Sequence, residues 1–213
     1  MWTEVAPGVQ MRRLRAQDEG SAVPVVALRS SPTRLRIGTG SRLDAGGWRR
    51  LMAAIAAVNG GFFDPEGHSL GLRVAKGKRI SRLRQADWGV FFVRDRRAQI
   101  VHTRDFTSRR GVTEAVQCGP RLVVNGSPVH LKAQWARRTG IGVQRDGRVV
   151  IAIADGPLSF RGWASLWAAK NGLNCRDALN LDGGGSTQLS LQTPKHTLHI
   201  SGHVPVPDAV VIK

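Results

Sequence analysis
The run Val149-Val-Ile-Ala-Ile-Ala154 constrains this chain more than any other stretch. It is apolar at every position, so as a strand it reads as central in its sheet. Asp146-Gly147 precedes it and follows the apolar-rich segment that begins near Thr139, which makes Arg137 to Gly156 the clearest hairpin in the sequence. Asp-Gly is a favoured pair for a two-residue type I′ turn. Asp155 ends the central run. A carboxylate there is either a turn or helix-start residue, or a site residue.

Similar punctuation recurs along the chain. Lys76-Gly77-Lys78 separates Leu72–Ala75 from Arg79–Leu83, and the polar turn Arg94 to Arg97 separates Val90–Val93 from Gln99–His102. Gly119-Pro120 breaks one run, and Asn125-Gly126 predicts a two-residue hairpin turn. Earlier, Val9–Leu14 alternates, and Val23–Leu28 is an apolar run broken by Pro24. Thr197–Ser201 and Ala209–Ile212 read as closing strands. Helical spacing appears twice. Trp48, Leu51, Met52 and Ile55 mark a helix within Ser41–Ala54. Trp163, Leu166 and Trp167 mark one over Phe160–Asn171, capped by Ser159 and stopped by a left-handed Gly172. The expectation is an α+β fold: a single domain over 1–213, with a mixed or mainly antiparallel sheet and a few helices, leaving room for an unstructured first few residues.

The segment Ala178-Leu-Asn-Leu-Asp-Gly-Gly-Gly-Ser-Thr-Gln-Leu189 has the layout of a site. An apolar run delivers Asp182 to a strand end. Gly183, Gly184 and Gly185 allow backbone amides to form a concave anion-binding nest, and Ser186 and Thr187 add hydroxyls. The bland reading is a glycine-rich turn with an Asp in it.

The net charge of +17, from 32 Lys+Arg against 15 Asp+Glu, favours anionic partners. The basic residues are scattered in pairs, and an arginine-rich composition alone can arise from base composition. No recognition-helix motif or basic-aromatic pattern points to specific nucleic-acid binding. No apolar run is long enough to span a bilayer. The N-terminus lacks a leader pattern, consistent with a cytoplasmic chain, or with a secreted or periplasmic one whose leader was removed. Cys118 and Cys175 permit one disulfide or two unpaired buried thiols.

Four motifs in order, Asn59-Gly-Gly-Phe-Phe, Gln117-Cys-Gly-Pro-Arg-Leu-Val, Arg138-Thr-Gly-Ile-Gly with Ala154-Asp-Gly, and Ala178 to Thr187, resemble the phosphodiester glycosidase domain family. That is the family of the uncovering enzyme that removes N-acetylglucosamine from mannose 6-phosphate tags. The resemblance runs from about Val9 to Val211 and is nearer the short bacterial members. Gly140 stands where the family usually has Ala, and Gly67-His68-Ser69 and Cys118 also vary.

The resemblance implies hydrolysis of the bond between an anomeric carbon and a phosphodiester, in a small-molecule or polymer substrate. Such chemistry needs a carboxylate at the anomeric carbon and a way to hold the anionic leaving group. Asp182 is the first candidate catalytic carboxylate and Asp155 the second. Arg138 is the candidate phosphate fork, with the Gly183–Gly185 amides as further donors. Asn59, Gly60, Gly61 and Phe62, with Ser186 and Thr187, are placed at the substrate. No cofactor is implied. A divalent cation between Asp155 and Asp182 is the alternative, whereas His196, His199 and His203 alternate across a strand and do not suit a three-ligand site. The competing function is a non-catalytic binding module for anionic glycopolymer or nucleic acid.

Overall fold
The structure, a computed structural model, describes residues 1–213. The chain starts with β1 (Thr3–Ala6), β2 (Val9–Asp18) and β3 (Ser21–Ser30), then β4 (Leu35–Leu43), helix α1 (Ala45–Leu51) and β5 (Ala56–Asn59). Five strands follow: β6 (Arg73–Ala75), β7 (Lys78–Ser81), β8 (Gly89–Arg94), β9 (Arg97–His102) and β10 (Val112–Cys118). Next come β11 (Arg121–Val124), β12 (Ser127–Pro128), the long pair β13 (Trp135–Gln144) and β14 (Val149–Ser159), and helix α2 (Phe160–Ala168). The chain ends with β15 (Cys175–Asn180), β16 (Leu189–Gln192), β17 (Thr197–Ile200) and β18 (Val206–Ile212).

Local turn chemistry accounts for much of this path. Asn125 and Gly126 both take left-handed φ (52° and 86°) between the paired residues Val124 and Ser127, which is the expected two-residue turn. Lys76 and Gly77 (φ 49° and 78°) do the same between Ala75 and Lys78. Asp146-Gly147 differs from the expected type I′ pair, because only Gly147 is left-handed (φ 84°). The Gly147 amide bonds to Gln144 O and the Gln144 amide to Arg148 O, at 3.0 and 2.9 Å. The loop is therefore Arg145-Asp146-Gly147, a longer connection closed by glycine.

The strands form three sheets, and every pairing is antiparallel. The order is β1-β2-β3-β14-β13-β15-β11-β12 in the large sheet, β7-β6-β10-β8-β9 in the second and β17-β16-β5-β18-β4 in the third. The apolar run Val149–Ala154 of β14 lies between β3 and β13, central as its composition demands. One buried cluster of 25 residues draws on all three sheets, including Leu28, Ile151 and Leu179, Phe91 and Val116, and Val58 and Val210. α2 covers the outer face of the large sheet with Trp163 and Trp167. A Cβ on Gly140 would lie 2.8 Å from the Trp167 ring, so glycine at this position lets α2 pack close against β13.

Several boundaries differ from expectation. The N-terminus is ordered from Thr3, because β1 pairs with β2. Pro24 does not break β3, since it lies beyond the last pair with β14, Val25 with Ala154. α1 is shorter than Ser41–Ala54 because Asp44 caps it, accepting from the Gly47 amide at 2.6 Å. Ser159 caps α2 as expected, but the helix ends at Ala168, where Ala169 turns extended (ψ 135°). Gly172 is not left-handed, and Asn174 is instead (φ 51°). Gly172 serves close packing: a Cβ there would lie 2.2 Å from Leu166 O. Cys118 and Cys175 are both free and buried, in separate clusters.

Strand ends from the three sheets converge at one place. Asn59 ends β5, Cys118 ends β10 and Asn180 ends β15, and the segment carrying Asp182 leaves from there.

Candidate active site
β15 hands the chain to Asp182 through ladder-like bonds that change sheets. The Leu181 amide bonds to Thr139 O at 2.9 Å, and the Asp182 amide bonds to Gly60 O at 3.0 Å. Asn59 locks this junction. Its Nδ2 donates to Asp182 O (2.7 Å), and its Oδ1 accepts from Thr139 Oγ1 (2.8 Å) and the Gln188 amide (3.2 Å). Asn59 was expected to meet substrate, but it is fully buried and both ends of its carboxamide are occupied by protein groups. Its carboxamide bridges β5, β13 and the segment carrying Asp182.

Gly60 and Gly61 are likewise occupied from within. Their amides bond to Asp208 O (3.0 Å) and Asp208 Oδ1 (2.9 Å). A Cβ on Gly60 would stand 1.8 Å from Asp208 Oδ1, and one on Gly61 2.3 Å from the Arg73 guanidinium. Beneath the turn, Arg73 Nε and Asp208 Oδ2 form a buried ion pair at 2.9 Å. Neither residue was singled out from sequence. The available signal was a charge inside an apolar run, Leu72-Arg73-Val74 and Asp208-Ala209-Val210.

The Asp182 carboxyl is partly buried above this pair. Burial raises its pKa, Ser186 and the Gly183 amide (3.0 Å) oppose the rise by hydrogen bonding, and Asp208 and Arg73 act in opposite directions. Gly183 is extended, Gly184 is left-handed (φ 58°), and Gly184–Ser186 forms a 3-10 turn that no side chain caps. The opening amides of such a turn, Gly184 and Gly185, have no acceptor within it. Thr187 was expected to bind substrate, but it is fully buried with its Oγ1 unpartnered, so it faces the interior. Phe62 is half-buried and packs edge-on against Trp88 with centroids 5.1 Å apart. Cys118 is close to both Phe62 and Asp182, with its thiol pushed up to about 12 by burial.

The two arginines Arg137 and Arg138 have opposite fates. Ala136 pairs with Leu158 and Arg138 with Ala154, so Arg137 alone faces Asp155–Pro157 in a bulge of β14. Arg137 Nη2 meets Asp155 Oδ1 at 2.8 Å, Nη1 donates to Ser201 O at 3.0 Å, and Arg137 O is 2.8 Å from where a Gly183 Cβ would be. Arg138 turns the other way, as neighbours on a strand do. Its guanidinium lies 3.6 Å from the Phe160 ring centroid and donates to Leu158 O (3.0 Å) and Gln134 O. Burial lowers its pKa to about 10, with Asp18 acting against the drop. Arg138, expected as the phosphate fork, is held by Gln134, Leu158 and Phe160, whereas Arg137 brings its carbonyl against Gly183 and its guanidinium to Asp155 and Ser201. Asp155 is paired with Arg137, whereas Asp182 responds to Asp208 and Arg73.

The sequence profile described as phosphodiester glycosidase (NAGPA) matches residues 52–213. The chain belongs to the phosphodiester glycosidase family. All four ordered motifs lie within the match. The chain is 31% identical over 140 residues to the uncharacterized protein YigE of Escherichia coli K12, covering 60% of this chain and 54% of that protein. It thus spans about half the length of that curated relative. Among solved structures, the zebrafish N-acetylglucosamine-1-phosphodiester alpha-N-acetylglucosaminidase catalytic domain, auto-inhibited by its pro-peptide, superposes with TM-score 0.79 at 15% identity, over 99% of this chain and 85% of that one. A hypothetical protein from Synechocystis gives 0.70 at 15% identity, over 100% and 63%. A putative exported protein from Burkholderia pseudomallei gives 0.68 at 15% identity, over 93% and 75%. At these identities the likeness shows a shared fold.

In this phosphodiester glycosidase-family chain, His203 also borders the glycine turn. Its amide bonds to Gly185 O at 2.7 Å and its ring is exposed. Metal-ligand atoms converge elsewhere, at Asp64, Glu66 and His68 in the loop after β5. No helix is long and apolar enough to cross a membrane.

Proposed function
We propose that this chain hydrolyses the bond between an anomeric sugar carbon and a phosphodiester, with Asp182 as the carboxyl that faces the anomeric carbon. The observation that carries the reading is the setting of Asp182: a desolvated carboxyl, oriented by Ser186 and Gly183, beside a glycine turn with uncommitted amides. In the reaction a water oxygen joins the anomeric carbon, the bond from that carbon to the bridging oxygen breaks, and the bridging oxygen departs on a phosphate monoester that takes up the water's second proton. The departing group is already anionic, so holding its charge matters more than protonating it strongly. Arg137 and the Gly184 and Gly185 amides supply that hold. Asp155 orients Arg137 through their ion pair, which makes it a positioning residue in this scheme. Phe62 and Trp88 form an aromatic wall on which a sugar ring can pack. The scheme needs no metal, since Asp155 is engaged by Arg137 and Asp182 by its own turn.

The test is hydrolysis of a methyl phosphodiester of N-acetylglucosamine 1-phosphate, followed as released sugar. The chain should cleave it, and Asp182→Asn should lower kcat by about 10²–10⁴-fold. A fully active Asp182→Asn protein sinks the assignment.

A further inference from the structure
The charge of the chain is not spent at Asp182. At the other end of β15, about 20 Å away at the rise of an extended strand, a 730 Å³ cavity opens between the β8–β9 turn and the β13–β14 loop. Arg96, Arg97, Arg145, Arg148 and Arg176 line it, with Asp146 as its single acidic residue. A second cavity of 450 Å³ shares Pro32 and Arg96 with the first and adds Arg36 and Lys76. Arg148, Arg176 and Arg36 are paired with Asp146, Asp177 and Glu114. Arg96, Arg97, Arg145 and Lys76 have no carboxylate partner. The crowding reaches Arg29, whose pKa is lowered by burial first and by Arg148 next.

The backbone adds an independent observation. Asp95 and Arg96 form the two-residue β8–β9 turn with φ of 50° and 64°. The second position of such a turn ordinarily takes glycine. An arginine there costs backbone strain, yet it places a cation at the point where the two cavities meet.

We propose that this groove binds a linear phosphodiester-linked glycopolymer through the charges of its backbone. The cations follow two adjoining cavities, which suits an extended anion, and guanidinium forks match phosphate oxygens. No aromatic side chain lines either cavity, so the groove lacks the stacking platforms that single-stranded nucleic acid uses. Its walls carry few apolar residues, unlike those of a small-molecule pocket. The choice of a glycopolymer rests on the hydrolase reading of Asp182; the charge and strain observations stand without it.

The experiment titrates the full chain with glucosylated poly(glycerol phosphate) across a range of salt. Arg96→Gly with Arg145→Gln should weaken binding about tenfold at about 50 mM salt and flatten the log–log salt slope by about 1.4, two contacts' worth. The control, Arg50→Gln with Arg161→Gln, removes two exposed charges on α1 and α2 and should change little. Arg96→Gly alone should keep or raise the melting temperature, which separates lost binding from lost folding. Equal weakening in the control overturns the groove, and tighter binding of an oligothymidylate of equal charge overturns the glycopolymer. Cleavage of the small sugar phosphodiester by the groove variant should match wild type. A wild type inert toward that substrate but binding through the groove removes the hydrolase reading and leaves an anion-binding surface.

Discussion

Arg73 and Asp208 meet at 2.9 Å, fully buried, directly beneath the turn that ties Asp182 to the third sheet. Breaking a buried pair from one side leaves an uncompensated charge, which costs about 3–5 kcal/mol. Asp208→Asn or Arg73→Met alone should lower the melting temperature by about 6–20 °C, at about 2–4 °C per kcal/mol for a chain this size. A Met–Leu replacement of both should cost less than the sum of the single changes. Calorimetry on the four proteins of the cycle checks this, and additive losses refute it.

Asp182→Asn should stabilise the fold while removing activity. The folded-state pKa of Asp182 is raised, so the folded chain holds this proton more tightly than the unfolded one. That stability is fully present below the ordinary value of 3.8 and is lost as pH rises through the folded value. Asparagine never ionises, so the variant should melt higher than wild type at neutral pH, with the gap closing toward acid. Melting curves across pH test the sign. The acid limb of the wild-type rate profile should likewise lie above 3.8.

The paired arginines should separate in kinetics. Arg137→Ala should raise KM for a sugar phosphodiester about tenfold, the loss of one charge-assisted contact of about 1.5 kcal/mol. Arg138→Ala removes the stack on Phe160 and two carbonyl contacts. It should lower stability by about 2 kcal/mol with KM near wild type. The opposite partition would restore Arg138 as the phosphate fork.

Glycines of the two turns should differ in kind. At Gly60 a methyl group would enter the Asp208 carboxylate, at 1.8 Å, so Gly60→Ala should abolish the soluble folded chain. At Gly184 nothing lies within 4 Å and the obstacle is φ alone, at 58°. Gly184→Ala should cost only about 1–2 kcal/mol, read as a denaturation midpoint.

Local chemistry determined most of the path of this chain. Asn125-Gly126 made a hairpin turn, Ser159 capped α2, and the unbroken apolar run of β14 had to lie inside a sheet, because each effect acts within a few residues. The triple glycine after a buried strand marked Asp182 for the same reason. Tertiary structure decided the rest. Arg137 and Arg138 are indistinguishable until the bulge opposite Asp155 sets which one pairs with that carboxylate and which one is stacked on Phe160. Asn59 looks like a ligand-binding amide until Asp182, Thr139 and Gln188, up to 129 residues away, take three of its four hydrogen-bonding positions, the fourth turning to Gly60 O at 3.5 Å. The Arg73–Asp208 pair exists only because β6 and β18, from different sheets, bring opposite charges under one turn. Such contacts follow from the packing of distant strands, and no short window of sequence contains both partners.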